Sequence, residues 1–205
     1  MALDGLLAAF MGYLLGAFPT GYLVGRLWKG IDVREYGSGR TGGANVLRSL
    51  GLVAATITVI GDVGKGAVAV LAARAIWHNE AMVVAAGLAA LVGHIWPIFL
   101  SWRGGAGVAT CVGALLALEP LALLMAAIVA CPTAILSRYV SLGSLTLASL
   151  VPLLIMGRVL LTGGTLEHIA YGFLAAALII FSHRPNIARI LKGTERRIGE
   201  PGRKR

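Results

Sequence analysis

Met82-Val83-Val84-Ala85-Ala86-Gly87-Leu88-Ala89-Ala90-Leu91-Val92-Gly93-His94-Ile95-Trp96-Pro97-Ile98-Phe99-Leu100 runs for 19 residues without an Asp, Glu, Lys or Arg. A helix needs about 20 mostly apolar residues to cross the hydrocarbon core of a bilayer. The run therefore reads as a membrane span, and the composition around it agrees. Of 205 residues, 58% are hydrophobic and only 13% charged, against about 45–50% and about 25% in soluble domains. Mean hydropathy is +0.83. The expectation is an all-α integral membrane protein, a single polytopic domain over residues 1–205 whose last stretch, 182–205, is a basic tail.

Outward from that run, apolar stretches recur at residues 6–27, 52–76, 108–118, 121–136, 145–161 and 168–181. Together they predict about seven transmembrane helices. Gly12/Gly16 and Gly21/Gly25, each pair four apart, predict close approach of another helix to the first span. Pro19 predicts a kink in it. The N-terminus has no basic region ahead of its apolar run, so that run reads as a retained helix rather than a cleaved signal.

The charge pattern orients the spans. Of the 18 Lys and Arg residues, 15 fall in or beside one set of segments: Arg26, Lys29, Arg34, Arg40 and Arg48, then Arg103, then Arg138, then eight in the tail. Arg74 and Arg158 fall near the opposite ends, and Lys65 lies within a span. Excess Lys and Arg mark the cytoplasmic side, which predicts the N-terminus outside, and the C-terminus and three polar loops in the cytoplasm. The net charge of +9 then fits an anionic membrane leaflet better than nucleic acid. Cys111 and Cys131 lie in apolar stretches without metal-ligand or disulfide spacing, and no cofactor or metal is expected.

Gly37-Ser38-Gly39-Arg40-Thr41-Gly42-Gly43-Ala44-Asn45, with Arg48 beyond it, is the densest polar stretch. It matches the dinucleotide glycine pattern, but that pattern needs a strand before it and a βαβ unit around it, and here apolar spans flank it. Gly64-Lys65-Gly66 likewise lacks P-loop spacing. The loops share a different theme, in which glycine or serine accompanies arginine. Ser38/Arg40/Arg48, Arg103/Gly104/Gly105/Gly107, Arg138/Ser141/Ser144 and His183-Arg184-Pro185-Asn186 repeat it. Backbone amides and guanidinium groups suit phosphate oxygens. Any one loop reads more readily as a turn with a topology anchor; four on one face favour a phosphate-handling site. Asp62 and Lys65, three apart, are placed to pair on one helix face. His94 is read evenly between helix-end packing and a site role.

The motifs, taken in order, resemble the bacterial acyl-phosphate:glycerol-3-phosphate acyltransferases, the PlsY family. The likeness runs through Gly21-Tyr22-Leu23-Val24-Gly25-Arg26, Gly30 to Gly39, Gly93-His94-Ile95-Trp96-Pro97, Gly104-Gly105-Ala106-Gly107, Arg138-Tyr139-Val140-Ser141-Leu142-Gly143-Ser144 and His183-Arg184-x-Asn186 with Gly193-x-Glu195-x-Arg197. The resemblance implies seven transmembrane helices in the bacterial cell membrane with motif loops on the cytoplasmic face. It also implies acyl transfer from acyl phosphate to the sn-1 hydroxyl of glycerol 3-phosphate, giving lysophosphatidic acid and phosphate. His183, Asn186 and Ser38 are expected to be catalytic, His183 either as base on the hydroxyl or as a donor to phosphate and Asn186 by orienting it; the resemblance does not settle whether a protein base is needed. Gly37, Gly39, Arg40, Asn45, Arg48, Gly104, Gly105, Gly107, Ser141 and Ser144 are expected to bind substrate or phosphate. Partners are the two substrates, membrane lipid and an acyl-phosphate-forming enzyme. No His is followed five residues later by Asp, the pair on which the thioester-dependent glycerolipid acyltransferases rely. The chain departs from the family pattern in two places, and Gly42-Gly43-Ala44-Asn45 replaces the usual Gly-Ala-Thr-Asn beside the first. Arg40 stands where Asn is usual, and Ala106 where a phosphate-contacting Lys is usual. Arg40 is expected to supply the missing cation. The competing expectations are a non-catalytic paralogue and a small organic-anion transporter, the latter disfavoured because transporter sites lie near the membrane midplane.

Overall fold

The computed structural model describes residues 2–205. These form an all-helical bundle of α1 (Ala2–Ala17), α2 (Thr20–Lys29), α3 (Gly43–Leu50), α4 (Leu52–Trp77), α5 (Glu80–Ile95), α6 (Val108–Leu118), α7 (Pro120–Ser137), α8 (Val140–Thr162), α9 (Leu166–Ser182) and α10 (Arg184–Leu191). Five stretches are long and apolar enough to cross a membrane: Ala2–Lys29, Leu52–Trp77, Glu80–Leu100, Pro120–Ser137 and Val140–Thr162. The pair α9 and α10, bent by 59°, is a sixth if counted as one span. Helix α6, with 11 residues, rises only about 16 Å. Large apolar side chains such as Leu27, Leu136 and Leu160 face outward, as lipid-facing residues must in a protein with no water to hide from.

The helix boundaries follow local chemistry. Phe18-Pro19 separates α1 from α2, because proline has no N–H to continue the ladder. The Asn79 side chain accepts the Ala81 and Met82 N–H groups at 3.0 and 3.4 Å and so starts α5. That helix ends at Ile95, before Trp96-Pro97, and residues 98–100 form a short 3-10 turn instead of the last turn of the expected 82–100 span. Two amphipathic helices, α3 and α10, occupy stretches expected to be loop and tail. The third polar loop shrinks to Arg138-Tyr139, and Ser141 and Ser144 lie in the first turns of α8.

Small residues bring the helices together. A methyl group on Gly12 or Gly16 would overlap the carbonyls of Ala86 and Ala90, so α1 seats directly on α5 as the spacing predicted. Gly21 and Gly25 serve a different purpose. Gly25 receives Val33 of the first polar loop, and Gly21 receives Thr41 of that loop together with the Thr58 methyl of α4. The loops thereby dock on the bundle at one end.

A buried ionic cluster closes the other end. Glu119, 3% exposed at the break between α6 and α7, accepts from Arg158 Nε of α8 at 2.7 Å. It also meets His168 Nδ1 of α9 at 2.6 Å. His168 Nε2 lies 3.0 Å from Glu80 of α5, and Arg74 of α4 reaches Glu80 at 3.5 Å and the Ala117 carbonyl at 3.0 Å. One network ties together five helices. His168 is thus a network residue.

Candidate active site

The first polar loop is held by one side chain. Asn45, on α3 and 2% exposed, sends its amide N–H groups to the carbonyls of Val33, Tyr36 and Arg40 at 2.8, 3.1 and 2.8 Å. Its carbonyl oxygen accepts the Ser38 N–H at 2.7 Å. Gly37 and Gly39 have φ of +51° and +75°, which side-chain-bearing residues rarely adopt. The tail then straps the loop: Gly37 N–H donates to the Arg203 carbonyl at 3.0 Å, and Gly202 N–H to the Arg48 carbonyl at 2.9 Å.

These bonds reassign several expected ligand contacts. Asn45 spends its polar atoms on the loop, so it shapes the site rather than contacting substrate. Gly39 N–H donates to the Tyr36 carbonyl, and Gly104 and Gly105 N–H groups donate to the Ile95 and His94 carbonyls at 3.2 and 3.1 Å. With Gly37 also engaged, the amides of Gly37, Gly39, Gly104 and Gly105 are not presented to a phosphate. They stitch loops to the end of α5 and to the tail. Gly39, Gly104 and Gly105 border a separate recess with Arg40 and Arg103.

A cavity of about 330 Å³ opens where the loops meet the bundle. Ser38, Arg40, Asn45, Arg48, Gly107, Ser141, Ser144, His183 and Asn186 border it, so nine of the thirteen expected residues converge on one space. Four helices begin at its wall: α3 through Gly42 and Gly43, α6 through Gly107 and Val108, α8 through Val140 and Ser141, and α10 through His183 and Asn186. The first turn of a helix has N–H groups without intrahelical partners and a partial positive charge, so this wall suits anions. Val59, Val63, Val108 and Val112 line another part of the same cavity. Polar and apolar walls side by side fit an amphiphile.

The cations reach it from the first loop (Arg40), from α3 (Arg48) and from the tail (Arg196). Arg48 donates from Nη1 to the Ala44 carbonyl at 3.3 Å, while its buried Nε has no partner among the described residues. Arg40 Nη2 donates to the Ser182 carbonyl, and Ser182 Oγ donates to the Ala106 carbonyl at 2.8 Å. Arg40 and Ala106 are therefore linked through one residue. Burial pulls both guanidinium groups below their ordinary range, with Arg189 adding to the effect at Arg40 and Arg196 at Arg48.

His183 sits at the bend beyond α9, 4% exposed. Its Nδ1 lies 2.8 Å from the Ile179 carbonyl. A carbonyl only accepts, so Nδ1 carries the proton and Nε2 holds the lone pair of the neutral ring. Burial, reinforced by Arg40, pushes the His183 pKa below its ordinary value against the opposing Ile179 and Glu195 contributions.

Asn186 does not orient His183. Its Nδ2 donates to Glu195 Oε1 at 2.7 Å, and the same carboxylate accepts from Ser141 Oγ at 2.8 Å and Arg189 Nε at 2.7 Å. Glu195, 8% exposed, is the residue the motif reading left without a role. Burial opposes its charge, but the donors, Asn186 first, then Ser141 and Arg189, hold its carboxyl below the usual range. Ser141 and Asn186 are thus clamped to Glu195, and Ser144 Oγ donates to the Val140 carbonyl at 2.9 Å. At the cavity wall, Asp62 pairs with Lys65 at 2.8 Å, as their spacing predicted, and faces His94 at 3.5 Å. His94 therefore takes both readings at once, helix end and cavity wall. Among the described residues no group of three His, Cys, Asp or Glu is placed to hold a metal ion.

The family model for glycerol-3-phosphate acyltransferase matches residues 6–193. The glycerol-3-phosphate acyltransferase of Synechococcus sp. (strain CC9902) is 47% identical over 208 residues, covering 99% of this chain and 100% of that protein. Glycerol-3-phosphate acyltransferase 2 of Moorella thermoacetica is 45% identical, covering 95% and 98%. A crystal structure of PlsY (YgiH), an integral membrane glycerol 3-phosphate acyltransferase in its glycerol 3-phosphate form, superposes with a TM-score of 0.86 at 34% identity, covering 95% of this chain and 96% of that one. Its lysophosphatidic acid form gives 0.84 at 32%. With the match running through the whole helical bundle and every loop that borders the cavity, the chain belongs to the glycerol-3-phosphate acyltransferase family.

Proposed function

We propose that the cavity transfers an acyl group from acyl phosphate to the sn-1 hydroxyl of glycerol 3-phosphate, releasing lysophosphatidic acid and inorganic phosphate. The observation that carries this is the cavity itself, with three arginines, Arg40, Arg48 and Arg196, and four helix starts on one side and a valine-lined wall on the other. Two phosphate groups and one lipid chain need that combination.

The acyl phosphate is a mixed anhydride and already activated. What remains is proximity and charge stabilisation. Arg48 and Ser144 hold the acceptor phosphate. Arg40, Ser38 and the first turns of α3 and α6, including Gly107, face the donor phosphate and the carbonyl oxygen. The acceptor hydroxyl attacks the carbonyl carbon while its proton passes to His183 Nε2. The carbon–oxygen bond to phosphate then breaks, phosphate leaves with the electron pair, and the His183 proton is returned to it. Neutral His183 is required, and burial keeps it neutral. Glu195 holds Ser141, Asn186 and Arg189 as one wall.

Seven membrane-crossing segments, with α6 completing its crossing through the 101–107 loop, place the N-terminus outside and the cavity at the cytoplasmic face. The 15 clustered Lys and Arg residues support that orientation. The location is a bacterial cell membrane, and a cytoplasmic acyl-phosphate-forming enzyme delivers the donor. Purified protein incubated with acyl phosphate and glycerol 3-phosphate should form lysophosphatidate. Its failure to do so with both substrates saturating would refute the assignment.

A further inference from the structure

No step above uses Asp62 or His94, yet both border the cavity. Asp62, on α4, is 1% exposed, and His94, near the end of α5, is 4% exposed. Asp62 Oδ1 meets Lys65 Nζ at 2.8 Å and faces His94 Nδ1 at 3.5 Å. Lys65 also donates to the Phe18 carbonyl at 3.0 Å, which fixes it at the break between α1 and α2. Asp62 Oδ2 is buried and, among the described residues, has no hydrogen-bond partner. His94 Nδ1 is in the same condition.

A buried carboxylate oxygen without a donor is costly and uncommon. Asp62 borders an open cavity, so a molecule bound there lies next to this carboxylate and supplies the donor once the packing over the oxygen yields. An ionised carboxylate only accepts hydrogen bonds and repels anions. The group it suits is an uncharged hydroxyl, not a phosphate. The proposed acceptor has two hydroxyls, and only one is acylated. We infer that Asp62, positioned by Lys65 and His94, accepts a hydrogen bond from the non-reacting secondary hydroxyl of the acceptor and so selects a phosphorylated polyol over a phosphorylated simple alcohol. The inference rests on the reading that this cavity binds glycerol 3-phosphate. The cavity thereby sorts the two ends of the acceptor by charge, with Arg48 and the helix starts taking the phosphate and Asp62 the hydroxyl end.

The test compares kcat/KM for glycerol 3-phosphate and for 3-hydroxypropyl phosphate, which lacks only the secondary hydroxyl. Wild type should prefer glycerol 3-phosphate by about tenfold or more, the value of a hydrogen bond to a charged group. Asp62→Asn, nearly isosteric, should collapse that ratio toward one, with the larger loss on glycerol 3-phosphate. Thermal unfolding is followed in parallel, because a residue that merely held the fold would lower both rates together and leave the ratio intact. That result overturns the inference. Equal use of both acceptors by wild type overturns it too, without relying on any variant folding. Wild type inactive on both acceptors would instead overturn the underlying reading of the cavity, and the inference with it.

Discussion

Arg40 carries the most exposed part of this account. Its Nη2 donates to the Ser182 carbonyl, whose own hydroxyl holds the Ala106 carbonyl at 2.8 Å. The guanidinium therefore stands beside the position where related enzymes are expected to have a lysine, and both residues border the cavity. Arg40→Asn removes the charge while keeping a polar side chain. A hydrogen bond between charged groups contributes about 1.5–3 kcal/mol, or about ten- to a hundredfold in kcat/KM. The bond to Ser182 is lost as well, so a fall in activity alone would not separate a cation effect from a loosened loop. Ala106→Lys in the Arg40→Asn background makes the separation. If charge is what matters, the double variant recovers most of the lost activity at unchanged thermal stability. The assay is steady-state lysophosphatidate formation with each substrate varied in turn. Wild-type turnover and wild-type glycerol 3-phosphate affinity in Arg40→Asn would refute the compensation, and failure of Ala106→Lys to rescue would assign Arg40 to holding the loop.

Four further outcomes are expected. His183→Gln should lower kcat by about a hundredfold or more, the usual scale of general base catalysis, and a near-normal rate would remove the base role. In wild type the acid limb of kcat/KM should fall below the ordinary histidine value of about 6.5, since burial lowers the His183 pKa. Glu195 has a depressed folded-state pKa, so its clamp contributes stability that is present above the unfolded value of about 4.3 and is lost as pH falls through the lower folded value. Amide exchange in residues 195–205 should accelerate over that acid range, and Glu195→Gln should abolish the transition; pH-independent exchange in wild type would contradict this. Glu119→Ala should destabilise the protein by about 1.5–3 kcal/mol, because it removes the buried carboxylate that Arg158 and His168 share while Glu80 still holds His168. The folded fraction should keep wild-type kcat/KM, since that cluster lies at the end away from the cavity, and a changed KM would show coupling between the two ends.

Five spans were legible because apolar runs of 16 or more residues have few other uses, whereas the short runs 108–118 and 168–181 do not reach that length; Gly12/Gly16 announced the close approach of another helix by spacing, without saying which. What the sequence hid depends on distance through space. Ser141 and Glu195 are 54 residues apart, so nothing local shows that the serine hydroxyl is spent on a carboxylate. The glycine amides of Gly104 and Gly105 looked free until the end of α5 supplied carbonyls for them. Helices α3 and α10 were read as loop and tail because each is only eight residues long and mixes polar with apolar residues, and such helices form by packing rather than by intrinsic preference. Gly21 and Gly25 carried a close-approach signal correctly, but spacing does not say whether a helix or a loop approaches.

The most direct test is stoichiometric. Purified protein is given acyl phosphate or acyl-CoA with glycerol 3-phosphate, and lysophosphatidate and inorganic phosphate are measured together. With acyl phosphate the account predicts one phosphate released for each lysophosphatidate formed, and no product from acyl-CoA. Equal or better turnover with acyl-CoA, or phosphate release without lysophosphatidate, would contradict it.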